Sequence, residues 1–233
     1  MRNIIAKIII FLVAPLTIAA QVGLSEFNNP YKEQSNKFEV DFIQTLPDSG
    51  SAKVEVLKDK PKIILSKWDD EVQLGVSYPK IKAGGRRKLL TNIIEWKDVK
   101  EELHAYPLEP KEGMEDGGFE IEIVLNEKPS TNKFDFVIDG AENLDFFYQP
   151  PLTQQEIDAG DFRPENVVGS YAVYHKIKAD HRVGSTNYST GKVFHIYRPK
   201  AIDANGVEQW AELSYINGVL SVIVPQGFLD SAV

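Results

Sequence analysis

From residue 37 onward, apolar and polar positions alternate in short runs. The segment KFEVDFI places Phe38, Val40 and Phe42 on one side and Lys37, Glu39 and Asp41 on the other. That period of two marks a half-buried β-strand. AKVEVL repeats it, and EVQLGVSY sets Val72, Leu74, Val76 and Tyr78 in one row. LLTNIIEW, GGFEIEIVL and KFDFVID read the same way, with Phe134, Phe136 and Ile138 facing in, and LDFFYQPP closes on two prolines. KAGGRRK is a turn. One helix is predicted in LTQQEIDAG: Thr153 caps it, Glu156 completes a capping box and Gly160 suits the stop. VVGSYAVYHKI, VFHIYRP, EQWAELSY and VLSVIVP follow as further strands. Roughly ten strands and one short helix near 153–159 predict an all-β, antiparallel sandwich, with a jelly-roll-like arrangement as its variant. No 20–50-residue repeat is visible, which argues against a propeller.

Register follows from the turns. Asn205-Gly206 and Asn217-Gly218 each sit between alternating segments, the strongest short-range hairpin signal. Two-residue loops at both would put Ala204 opposite Val207, Ala201 opposite Trp210 and Tyr197 opposite Ser214. They would also put Ile216 opposite Val219, Leu213 opposite Val222 and Glu212 opposite Ile223. The expected core face is then Phe194, Ile196, Ala211, Leu213, Tyr215, Leu220, Val222 and Val224. The other face carries His195, Tyr197, Trp210, Glu212, Ser214 and Ser221. Its mixture of aromatic and polar groups makes His195, Tyr197, Trp210 and Glu212 a candidate ligand face. A solvated outer sheet face is the plainer explanation.

The first 20 residues depart from this pattern. Arg2 and Lys7 precede an apolar run to Ile18, and small residues follow at Ala19 and Ala20. A basic start, apolar centre and small-residue end describe a secretory signal peptide, cleaved after Ala19 or Ala20. The run is short for a retained membrane anchor. Residues 21–36 read as a polar linker, 37–150 as the first portion of the sandwich and 151–165 as a short helical connector. Residues 166–233 read as the hairpin meander that completes it, stopping at Val233 as a truncated chain would. Secretion to the extracellular space or cell surface, with the periplasm as the other compartment, is therefore expected. The membrane would be met only through the signal peptide. Loss of residues 1–20 moves the net charge from −8 to −10. So acidic a chain is not built to seek nucleic acid. With no cysteine there is no disulfide and no lipid-modified cysteine, so stability must come from a core.

Charge is unevenly spread. From His175 to Lys200 there are six basic residues, Lys176, Lys178, Arg182, Lys192, Arg198 and Lys200, against Asp180 alone. From Glu95 to Glu127 there are eleven acidic and three basic residues. The two segments can neutralise one another, or the basic patch can meet a cell-wall or other anionic polysaccharide, or another surface protein. The polar stretch from Lys178 to Lys192 is long for a hairpin loop. His175, His181 and His195 lie in or near this patch, but their spacing fits no metal motif, so neither a metal nor any other cofactor is expected. Glu120 and Glu122 share a strand face, as a glycosidic carboxylate pair does, yet they also form the polar half of an alternating strand. DANG at 203–206 is explained as a turn rather than a calcium loop. No G-x-S-x-G occurs, and no catalytic residue is assigned.

VVGSYAVYHK, GKVFHIYRPKAIDANG and NGVLSVIVPQGFLDSAV resemble uncharacterised secreted β-rich bacterial proteins known mostly from environmental sequences, over residues 144–233. More loosely, residues 70–233 are similar to the β-sandwich segments of wall-associated RHS-type surface proteins. There, a strand like GGFEIEIVL and a phenylalanine-rich strand precede a closing hairpin. The resemblance implies an extracellular structural module and carries no site residue with it. The expected function is a secreted, non-catalytic module for adhesion, surface assembly or display. The alternatives are a carbohydrate-binding module and, third, a hydrolase.

Overall fold

The computed structural model describes residues 6–13, 31–41, 52–82, 88–90, 92–109, 117–178, 180–183 and 186–231. In chain order the strands are β1 (Ala6–Val13), β2 (Lys32–Glu33), β3 (Lys37–Asp41), β4 (Ala52–Leu57), β5 (Lys62–Lys67), β6 (Val72–Ser77) and β7 (Lys88–Leu90). Then come β8 (Ile93–Lys97), β9 (Glu101–Leu108), β10 (Gly118–Leu125), β11 (Lys133–Asp139), β12 (Leu144–Tyr148) and helix α1 (Gln154–Asp158). The remainder is β13 (Tyr171–His175), β14 (Asp180–Val183), β15 (Thr186–Ser189), β16 (Lys192–Ile196), β17 (Lys200–Asp203), β18 (Glu208–Trp210), β19 (Glu212–Ile216), β20 (Val219–Ile223) and α2 (Gln226–Ser231). The expected all-β, antiparallel, sandwich-like fold is what forms.

The first sheet runs β12-β13-β16-β1-β10-β9-β8-β7, with β17 also on β1 and β18 on β17. The second runs β19-β20-β11-β6-β5-β4-β3-β2, and β14 and β15 form a ribbon of their own. One apolar cluster joins the two sheets: Val54, Leu74, Phe134, Phe136 and Val222 from the second meet Ile94, Leu103, Phe119, Ile121 and Val173 from the first. Polar ties cross the same gap. Tyr78 Oη donates to Glu101 at 3.0 Å, and the Tyr171 hydroxyl accepts the backbone N–H of Tyr215 at 3.1 Å.

Local chemistry explains most boundaries. The capping box of α1 forms as its sequence predicts, and Gly160 ends it at φ +92°. In the last hairpin, Asn217 and Gly218 both take positive φ, and the pairs Ile216–Val219, Leu213–Val222 and Glu212–Ile223 are those expected. The preceding hairpin differs. Lys200 pairs with Trp210 and Ala201 with Gln209, one residue away from the expected register. Asp203 Oδ1 accepts the N–H groups of Asn205 and Val207, and Gly206 is left-handed at φ +81°. The loop therefore holds three residues, a turn closed by a left-handed glycine, and one extra residue moves every partner by one. EQWAELSY is likewise two strands. β18 belongs to the first sheet and β19 to the second, with the chain crossing at buried Ala211. Tyr197 therefore does not face Ser214. The expected core face holds nonetheless: Phe194, Ile196, Ala211, Leu213, Leu220, Val222 and Val224 are buried, and Tyr215 packs against the core.

Three segments carry more structure than their sequences announce. The loop from Lys178 to Lys192 contains the β14–β15 ribbon. GFLDS belongs to α2, whose Leu229 is buried. Residues 31–36, read as linker, bury Tyr31 and supply β2, while residues 21–30 lie outside the described residues. Residues 6–13, the apolar run read as the centre of a signal peptide, form β1 between β10 and β16–β17. A run such as IIIFLV satisfies both descriptions, because a strand in the middle of a sheet can also be continuously apolar. The cleavage positions, Ala19 and Ala20, lie outside the described residues.

Candidate functional site

Two groups of polar side chains sit on the outer face of the first sheet. The first lines an open depression of about 710 Å³ over β12, β13 and β16. Phe147 pairs with Ala172, and Ala172 with His195, so three outward positions lie in one row across the sheet. Ala172 is the small member, and its methyl group keeps the floor low between two rings. A register shift between Val173 and Tyr174 then sets Tyr174 opposite Lys192 rather than Val193. Such bulges re-aim side chains. Tyr174 meets Phe147 edge-on with ring centroids 5.6 Å apart, and the rings of His195 and Tyr197 lie 4.4 Å apart. Lys176 and Lys178 line one side together with Lys192, and Asp145 is the carboxylate of the rim.

His195 is only 5% exposed, and its Nε2 lies 2.8 Å from Ser170 Oγ. The Ser170 hydroxyl donates to Val167 O at 2.6 Å, which leaves Nε2–H to donate to Ser170 and Nδ1 as the acceptor. Nδ1 is buried and has no hydrogen-bond partner. Burial, with the Lys192 ammonium nearby, pushes the ring pKa down to about 4, so the imidazole is neutral at pH 7. Serine beside histidine invites comparison with a nucleophile and its base. Ser170, however, is 0% exposed, and its proton is already given to a carbonyl. The pair positions the ring and offers no attacking oxygen. Lys192 is half-buried, burial lowers its pKa, and no carboxylate pairs with it among the described residues. The depression thus contains an ammonium without a carboxylate partner among the described residues, between aromatic walls, with the neutral His195 ring packed beneath it.

The second group occupies β8, β9 and β10. His104 pairs in register with Glu95 on one side and Glu122 on the other. Its Nδ1 donates to Glu122 at 2.8 Å, and its Nε2 stands 3.6 Å from both Glu95 and Glu102. Glu102 also meets Lys97 at 2.6 Å and Asn126 at 3.1 Å, and Tyr106 Oη donates to Glu120. Burial opposes charging the His104 ring, but Glu122, with Glu95 and Glu102 behind it, outweighs that and raises its pKa. Glu120 and Glu122, the polar half of the alternating strand, are both buried and engaged by side chains of β9. Glu95, Glu102 and His104 are near enough to share a cation, but Glu102 is already held by Lys97 and Asn126, and His104 by Glu122.

The candidates from the sequence divide. His195 and Tyr197 meet in the depression. Trp210 is on β18, where Arg198 at 5.4 Å and Lys200 at 4.6 Å sit over its ring. Glu212 is exposed on β19 of the second sheet. A single ligand face requires two-residue loops in both hairpins; the extra loop residue and the crossing at Ala211 separate it. The basic patch divides as well. Lys176, Lys178 and Lys192 line the depression, Arg198 and Lys200 flank Trp210, and Lys200 pairs with Glu208 at 2.6 Å. The side chains of Arg182 and His181 lie outside the described residues. His175 is buried, with Nδ1 at Ile177 and its ring edge-on to Trp68. Sequence reasoning misses Phe147 and Tyr174. Their signal is an aromatic residue in the outward phase of an alternating strand. It misses His104 as well, because the partners of that ring come from two other strands.

Comparison of the chain with protein-family models, with curated proteins and with solved structures gives no match.

Proposed function

We propose that this chain is a secreted, non-catalytic β-sandwich module for adhesion or surface assembly, and that it holds an anionic polysaccharide in the depression over β12, β13 and β16. One observation carries the proposal: a half-buried Lys192, with no carboxylate partner among the described residues, lines the same aromatic-walled depression as Lys176 and Lys178. A carboxylate or sulfate on a ligand would offset the desolvation of the Lys192 ammonium, since an opposite charge favours the protonated amine. Tyr174, Phe147 and Tyr197 supply flat apolar faces for the ring carbons. Lys176, Lys178 and Lys192 outnumber Asp145 around the rim, which favours an anion over a neutral chain.

The test is a binding screen against polygalacturonate, a sulfated glycan and neutral dextran at low and high salt. Binding to the acidic polymers that weakens as salt rises, and weakens further in Lys178→Ser/Lys192→Ser, supports the proposal. Binding to dextran alone, indifferent to salt and lost on Tyr174→Ala, would mean a neutral-sugar module instead.

A further inference from the structure

The first sheet is held together by a strand whose sequence is also that of an export signal. Residues 6–12 pair along Leu125–Phe119 of β10. On its other edge β1 pairs with β17 over Ala6–Ile9 and with β16 at Leu12 and Val13. Among the described residues, the other neighbour of β10 is β9, that of β16 is β13, and that of β17 is β18. Without β1 the sheet separates into pieces. A slot eight residues long then opens, with unpaired backbone groups along both sides. Its floor is core: residues 8, 10 and 12 pair with the buried Ile123, Ile121 and Phe119, and Ile8 is itself 0% exposed.

A strand in the middle of a sheet and a segment removed on export exclude one another in a single molecule. We infer that the slot between β10 and β16–β17 is an acceptor site for a β-strand supplied by another protein chain, with β1 as its placeholder before processing. The slot defines the incoming strand. It runs antiparallel to β10 and bears apolar, preferably β-branched, residues at the three alternate positions now held by Ile8, Ile10 and Leu12. Backbone hydrogen bonds on both edges give such a strand its affinity, and the three alternate side chains give its register. The inference draws on the export reading only for how the slot is emptied, and it does not depend on what the depression binds.

The test uses the full chain with a site-specific protease sequence inserted between residues 20 and 21, so that β1 can be cut free yet stay in place. A fluorescent peptide of residues 5–14 with a solubilising lysine tail is then added. The expected result is one-to-one uptake by the cut protein and none by the uncut protein. A peptide carrying Ile8→Asp and Ile10→Asp should bind at least about tenfold more weakly, because a charge at the buried position 8 would be left unpaired. Should cutting unfold the chain, refolding from denaturant must succeed with the apolar peptide and fail with the Asp peptide. Release of residues 1–20 with an unchanged thermal midpoint would overturn the inference. So would equal uptake of both peptides, or refolding that neither peptide restores. The mass of the exported chain separates this from the export reading: retention of Met1 removes the signal cleavage, while peptide uptake by the cut protein still establishes the slot.

Discussion

Nε2 of His195 lies 2.8 Å from Oγ of Ser170, while Nδ1 of the same ring is buried without a partner. Burial disfavours the charged ring, which gives the pair a thermodynamic signature. In the unfolded chain the imidazole takes up a proton near pH 6.5, and in the folded chain only near pH 4. Between these values the unfolded state binds more protons, so stability falls as pH drops from 6.5 and levels off below 4. The full contribution is at most about 3 kcal/mol. Urea unfolding midpoints of the parent and His195→Gln at pH 7.5 and 4.5 measure it. The acid-side loss should shrink in the variant, and an equal loss in both would contradict a buried, neutral His195.

His104 has the opposite sign. Its folded pKa is raised, so its stabilising effect is complete below the unfolded value and is lost as pH rises through the folded one. An NMR titration should find His104 titrating above the 6.5 of an ordinary histidine, and Glu122→Gln should lower that value. A ring that titrates below 6.5 and ignores Glu122→Gln would mean that burial outweighs the three carboxylates.

Leu213 and Val222 are partners across the last hairpin, and both are buried. Leu213→Ala should cost about 2–5 kcal/mol by chemical denaturation, as large-to-small changes in a packed core do. A cost below about 0.5 kcal/mol would place Leu213 outside the core.

The two Asn-Gly hairpins mark where sequence stops specifying structure. Asn217-Gly218 is legible outright, because two left-handed residues fit a two-residue loop and fix every pair beyond it. Asn205-Gly206 carries the same dipeptide, yet Asp203 captures two backbone N–H groups and widens the loop by one. A single side-chain hydrogen-bonding choice thus shifts which residue of β17 faces Trp210. The alternating segments reveal the sandwich and the core, since period two needs no knowledge of partners. The depression is half legible: His195 and Tyr197 stand out by type, but the row Phe147–Ala172–His195 exists only once β12, β13 and β16 pair across distant stretches of the chain. The apolar run at residues 6–13 carries two meanings that composition alone does not separate.

The central proposal is that the depression is built for an anion. Its most direct measurement is the calorimetric affinity for polygalacturonate at low salt, for the parent, Lys192→Ser and Lys200→Ser. Lys200 is a control of equal charge whose ammonium already pairs with Glu208 at 2.6 Å, away from the depression. Lys192→Ser should weaken binding about tenfold, as loss of a desolvated charge contact does, and should leave a shallower salt dependence. Lys200→Ser should change affinity less than about twofold. Equal losses in the two variants would reduce the effect to net charge and contradict a built site around Lys192 and His195.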